Sequence, residues 1–328
     1  MPAIITHDNF GQDVYRFMFQ FIGESRDEFE AFLLGNQGPD PLFYSFAVPH
    51  LHKVNQFGST MHNEKPTELL VALKQSLSTL DDQELPVGRA YALGFLCHYL
   101  LDSNMHPLVY FQQYQLENAG VNGLSSRDEH EIHAVIESEF DEMILFVKRH
   151  KTVATFNPST EILKASNFVL DTISKIYTYV ALVTYGTLLP DKTFSLSVKS
   201  FRRIQHIFSS PTGLKRYALG TIEELIRPYS FIRAMSPRAI EITESTFGNH
   251  EHTEWENPFT GEVSTHDFWD IYNKAQNSAS EILEAFDAEG FGQVEAEDIT
   301  HSLNFSGEPV VACITIENSD THSPSANA

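Results

Sequence analysis

Cysteine is nearly absent from this chain. Cys97 and Cys313 are the only two in 328 residues. One lies inside an apolar segment and the other near the C-terminal end, so there is neither a disulfide framework nor a thiolate zinc site. Any metal must be held by nitrogen and oxygen. Long apolar runs are missing too: no stretch of ~18 apolar residues occurs, so no transmembrane helix is expected. The opening MPAIITHDNF has no basic region followed by an apolar core, so no secretory leader is expected, and the mature chain is expected to begin at Pro2 in the cytoplasm. Positive charge is scarce: 22 Lys and Arg face 44 Asp and Glu, for a formal net charge of -22. That balance argues against sustained binding to nucleic acid or to an anionic bilayer. A local cationic site of bound metals would still attract an anionic substrate.

What the chain does have is apolar and aromatic bulk. Hydrophobic residues make up 42% and aromatics 12%, with 25 Phe, which suffices for a well-filled core. Apolar residues recur at i, i+3, i+4 over 10–33, 66–80, 86–105, 127–150, 159–189, 196–208, 212–232 and 265–286. Strand-like alternation is confined to PVVACITIE at 309–317. The chain therefore reads as all-α, a multi-helix bundle of roughly ten helices. Three parts are expected: residues 1–150, a helical continuation over 151–305 that packs on or caps the first part, and an extended segment with a disordered tail over 306–328. Ser126 and Glu129 form a capping-box pattern, which predicts a helix start there. Residues 246–265, with two Gly, two Asn and a Pro, read as a long polar loop.

Histidine is abundant, with 15 copies, and its sharply placed members fall before residue 135. In Leu93–His106, LGFLCHYLLDSNMH, His98, Asp102 and His106 recur every four residues. On a helix they share one face, so two imidazoles and a carboxylate project together from an apolar segment. Polar groups in such surroundings need a partner of opposite charge, and neutral imidazoles with ionised carboxylates suit a divalent cation. A core histidine beside a solvated Asp is the competing reading of that triplet. His133 and Glu137 repeat the one-turn spacing, and Asp40 in GPDP and His62 after Met61 add a second carboxylate and a further imidazole. Glu131, Glu139, Asp141 and Asn104 are available to orient imidazoles, but a solvated charged face is the favoured reading. His130, His50 and His52 are read as exposed, and His250 and His252, with Trp255, as solvated in preference to lining a cleft.

With His7, GPDP, Met61-His62, the HYLLD segment followed by His106, and HAVIE with His133 and Glu137, the chain resembles the zinc-dependent phospholipase C family, whose relatives include S1/P1-type nucleases. The likeness covers about residues 5 to 150. The resemblance implies a zinc-binding helical domain over 1–150 and a cluster of two or three zinc ions. Asp40, His62, His98 and Asp102 would hold the first metal. Asp102 would bridge to a second, completed by His7 and the N-terminal amine, here of Pro2. His106, His133 and Glu137 would hold the remaining one. Asp40 is also the family's general base. The Asp102 to His106 gap is two residues shorter than in the secreted enzymes.

The activity implied is phosphodiester hydrolysis. Hydroxide is repelled by the phosphodiester charge, and two zinc ions roughly 3.5 to 4 Å apart both acidify a bridging water toward a pKa of about 7 and clamp the phosphoryl oxygens. The substrate is expected to be a phosphodiester, a phospholipid or a smaller soluble molecule, and not nucleic acid. A nuclease or phosphomonoesterase on the same scaffold is one alternative. A non-catalytic protein in which zinc staples helices is the other, with closed four-ligand sites as its mark. Oligomeric state is not legible from the sequence.

Overall fold

A computed structural model describes residues 3–45, 51–119, 129–208 and 238–310. Its helices are α1 (Ile4–Ile22), α2 (Arg26–Gly35), α3 (Leu51–Asn63), α4 (Pro66–Ser76), α5 (Leu85–Asn118), α6 (Glu129–Arg149), α7 (Pro158–Glu161), α8 (Asn167–Tyr185), α9 (Thr193–Phe208), α10 (Phe268–Asp287) and α11 (Gln293–Thr300). Short 3-10 turns cover Asp40–Tyr44 and Leu77–Thr79. The one sheet among the described residues is a two-stranded antiparallel ribbon pairing Trp255 with Ser264 and Glu256 with Val263. The fold is all-α, as the apolar periodicity implies.

Helix α5 is the axis. Its 34 residues extend about 51 Å at 1.5 Å per residue. Every residue from Ala90 to Asp102 is buried, so this stretch is surrounded by other helices, as a helix apolar on all sides must be. Around it pack α1, α2, α6, α8 and α10. The buried core runs without interruption from Ile4 to Phe305.

Several expected boundaries shift for local reasons. The run over 10–33 divides into α1 and α2 because Gly23 takes φ 142, after which Ser25 and Glu28 form a reciprocal capping box at 3.2 and 2.9 Å. The run over 86–105 continues through Pro107 to Asn118. Proline removes one backbone donor there, and the helix continues past it with Pro107 buried. The stretch around His52, outside every periodic run, is helical: α3 buries Val54, Phe57 and Met61 along one stripe, and most of its other residues are polar. The polar loop at 246–265 contains the ribbon. Ser126, the run over 212–232 and the tail from residue 311 lie outside the described residues.

Helices α1 and α6 are joined by charge. Asp8 pairs with Arg149, and Asp13 accepts from Lys148 at 2.9 Å and from the Tyr272 hydroxyl at 3.1 Å. At the other end of α1, no side chain of its own caps the first turn. Asp141 of α6 does so across the chain, accepting from Ile5 N at 3.1 Å, Thr6 N at 2.7 Å and Thr6 Oγ1 at 2.8 Å. A carboxylate against a helix N-terminus satisfies donors that the helix leaves open. The next residue is His7.

Candidate metal centre

Five elements deliver the eight candidate residues. Helix α1 carries His7, the first 3-10 turn Asp40, α3 His62, α5 His98, Asp102 and His106, and α6 His133 and Glu137. The GNQG turn brings Asp40 in: Gly38 has φ 47, and a Cβ there would strike the His98 ring. Only glycine fits that position without strain.

The eight converge. His7 Nε2 is 3.0 Å from Asp102 Oδ1, and His98 Nε2 is 3.3 Å from Asp102 Oδ2. His62 Nε2 is 3.1 Å from Asp40 Oδ1. His106 Nε2 lies 3.8 Å from Asp102 and 3.6 Å from Glu137, and His133 Nε2 lies 3.6 Å from Glu137. Three groups have ligand atoms within 4.8 Å of one another: His7, His98 and Asp102; Asp40, His62 and His98; and His106, His133 and Glu137. His98 belongs to two of them, whereas the sequence reading has Asp102 as the shared residue.

Four of the five imidazoles are oriented alike, whereas His7 Nδ1 lies 3.3 Å from His98 Nδ1. His62 Nδ1 meets the Gly58 carbonyl at 2.8 Å, His98 Nδ1 the Asn36 carbonyl at 3.2 Å, His106 Nδ1 the Phe305 carbonyl at 2.7 Å and His133 Nδ1 the Gln113 side-chain oxygen at 3.2 Å. Each Nδ1–H is thereby engaged outward, which selects the tautomer with a lone pair on Nε2 and turns that atom inward. His98 Nε2 is fully buried and has no hydrogen-bond partner, being off-line from Asp102. An orphaned buried acceptor surrounded by carboxylates is what a cation would satisfy. The donor set is nitrogen and oxygen with no sulfur, which suits zinc or another borderline divalent ion. The residues fit the group.

The electrostatics are those of a buried cluster of carboxylates, with His98 set apart from the imidazoles around it. Burial lowers the His98 pKa to about 4, only partly countered by Asp102, so the ring is neutral at pH 7 as a ligand must be. At His7 and His62 burial works in the same direction, but Asp102 and Asp40 respectively outweigh it and the pKa is raised. His106 is raised to about 9, burial being overcome by Asp102 and Glu137. Burial would raise the carboxyls, yet His98, His106 and His7 hold Asp102 far below the usual range, and His133 and His106 do the same for Glu137. Three carboxylates in one buried cluster draw positive charge to it.

A cavity of about 820 Å³ opens onto the cluster. Seven of the candidates line it, with His98 fully buried behind them. Its walls are Phe43 and Tyr44, Tyr110 and Tyr114, and the polar face of α3 with His52, Asn55, Gln56 and Ser59. A second cavity of about 490 Å³, lined by Arg26, Glu30, Lys164 and Arg202 among others, contains none of the candidates.

The other sequence expectations resolve one by one. Asn104 donates back to Leu100 O in its own helix. Glu139 accepts from Ser245 and Thr246 and pairs with Arg238, away from the imidazoles. Asp141 is buried against α1, so a solvated face describes neither of these acids. His250 and His252 are exposed and off the cavity, and Trp255 is packed on Phe111 with its Nε1 donating to His266 O. His50 and the His130 side chain lie outside the described residues. The residues that sequence reasoning missed are Gln113, Asn36, Gly58 and Phe305. The latter three act through backbone carbonyls, which no residue pattern announces.

An all-helical bundle with a buried imidazole and carboxylate cluster open to a cavity defines a class of helical proteins with nitrogen- and oxygen-donor metal sites. The family model for zinc dependent phospholipase C matches residues 6–181, more than half of the chain, and the chain belongs to that family. All eight candidates fall within the match. Comparison with curated proteins and with solved structures finds no match.

Proposed function

We propose that the chain is a zinc-dependent phosphodiester hydrolase whose centre is formed by His7, Asp40, His62, His98, Asp102, His106, His133 and Glu137. The observation that carries this reading is the cavity opening on three adjoining ligand groups. A purely stapling zinc would be closed off from solvent by four protein ligands, whereas three-ligand groups beside a cavity leave positions for water and substrate. Zinc, when bound, supplies positive charge for the phosphoryl oxygens and acidifies water. This chain's residues do the rest. Asp102 sits between His7, His98 and His106 and holds the imidazoles in place. Asp40 borders the cavity beside His62, where a carboxylate oxygen receives the proton of the attacking water. Tyr110, Tyr114 and Phe43 give the cavity apolar faces, and the α3 amides give it hydrogen-bonding groups for a polar head group. A phospholipid or a smaller soluble diester fits this division. The net charge of -22 weighs against long nucleic acids.

Chromogenic phosphodiester and phosphomonoester hydrolysis, before and after chelation and zinc replenishment, tests the reading. Chelation is expected to abolish diester hydrolysis and zinc to restore it. Asp102→Asn is expected to strip metal and activity together. Asp40→Asn is expected to lower turnover on the order of 100-fold while metal content falls less, as loss of a general base does. Equal turnover in Asp40→Asn removes its assigned role.

A further inference from the structure

The family match ends at residue 181, yet a segment far beyond it reaches into the cluster. Residues 303–307 leave α11 and cross between the end of α3 and the middle of α5. Phe305 N donates to His62 O at 3.1 Å, and Phe305 O accepts from His106 Nδ1 at 2.7 Å. One residue therefore bonds to two candidate ligand residues on different helices. Its ring fills the space behind them, with centroids 5.0 Å from His62 and 5.6 Å from His98, edge-on to Phe95 at 5.9 Å and Tyr99 at 5.0 Å.

The segment is held in place. Tyr99 Oη donates to Leu303 O at 2.7 Å, and the Asn304 side chain closes a turn by accepting from Ser306 N at 2.8 Å and Glu308 N at 3.1 Å. Gly307, at φ 73, seats against the notch where Pro107 interrupts the α5 hydrogen-bond ladder; a Cβ there would lie 2.6 Å from Ser103 O and 2.8 Å from Pro107 Cγ. Phe305 is 1% exposed.

We propose that this strap, residues 303–307, is a positioning element of the metal centre: the Phe305 carbonyl fixes the His106 tautomer with Nε2 toward Glu137 and Asp102, and the centre is complete only with the strap docked. The inference rests on the functional reading for the metal, but its spectroscopic test does not. Outer partners of metal-bound imidazoles are worth about 10- to 100-fold in metal affinity. Gly307→Ala, which pushes the strap off α5, is expected to weaken the weakest zinc site of the full chain by that factor in a competition titration with a chromogenic chelator. In 15N-histidine-labelled protein, the His106 Nδ1–H signal, assigned by its loss in His106→Gln, is expected to be present and slow to exchange in the wild type and to shift and broaden in the variant. Should Gly307→Ala fail to fold, Asn304→Ala opens the turn more gently and is read the same way. A folded variant with wild-type zinc affinity and an unchanged His106 signal overturns the proposal. So does zinc loss with that signal unchanged, since the strap would then act by packing alone. A wild-type chain that binds no zinc defeats the functional reading, and the His106 signal still decides the role of the strap.

Discussion

At the scale of single residues, Asp141 illustrates how the cluster is supported from outside. It touches no imidazole, yet it holds the first turn of the helix that carries His7, through three hydrogen bonds. Asp141→Ala leaves buried backbone donors at Ile5 and Thr6, and is expected to cost about 2–3 kcal/mol in urea unfolding. Its titration has a definite sign. Burial raises the Asp141 carboxyl from 3.8 to about 7, against the pull of its three hydrogen bonds. The folded chain therefore keeps this proton over a pH range in which the unfolded chain has released it. On this residue's account, stability is greatest below pH 4 and declines as pH rises from about 4 to about 7. Asp141→Asn cannot ionise, so unfolding free energies measured across that window should fall less steeply than in the wild type. An unchanged slope would assign the proton elsewhere. Both carboxylates that the sequence places beside imidazoles, Asp102 and Glu137, behave oppositely, because histidines surround them.

At the scale of elements, the centre depends on how α1, α5 and α6 are held together more than on any one of them. Helix α1 has no cap of its own and relies on Asp141 at its start. At its end, Arg89 of α5 donates to the Phe21 and Ile22 carbonyls while gripping Asp287 of α10 through two bonds of 2.7 Å. Cationic donors suit a helix C-terminus, where carbonyls are left open. The apolar side of α1 is seated by Phe10, which is 0% exposed and meets the Tyr272 ring edge-on at 5.3 Å. Phe10→Ala is expected to cost about 3–5 kcal/mol, the range for emptying a phenylalanine site that cannot collapse. Chemical denaturation measures it, and a loss under about 1 kcal/mol would mean that α10 moves in to fill the space. Because His7 lies one turn before Phe10, the same variant is also expected to bind zinc more weakly.

At the scale of the whole molecule, metal and fold are expected to report on each other. The candidate ligands come from α1, the 3-10 turn, α3, α5 and α6, so a cation bound among them ties together elements that are far apart in the chain. A ligand that binds only the folded state at 100 times its dissociation constant adds about 2.7 kcal/mol. Scanning calorimetry should therefore show a higher unfolding midpoint with zinc than after chelation, and an unmoved midpoint would count against metal binding by the folded chain. Much of the arrangement was legible in advance. The i, i+4 spacing of His98, Asp102 and His106, and of His133 and Glu137, specifies one face of a helix wherever that helix goes, and apolar periodicity specifies an all-α chain. The polar α3 was not legible, because its three buried apolar side chains, Val54, Phe57 and Met61, are outnumbered by residues facing solvent and the cavity. The carbonyls of Asn36, Gly58 and Phe305 were not legible either, since backbone acceptors have no sequence signature, and nothing in the sequence pairs the Gln113 side chain with His133. The sequence by itself determined which residues can be ligands, which share a helix face, and that sulfur is not among the donors; these follow from covalent identity and helix pitch. Only the tertiary structure decided that His98 belongs to two of the ligand groups, that Asp141 starts α1, and that Phe305 lies against His62 and His106, because contacts between residues far apart in the chain depend on how whole helices pack.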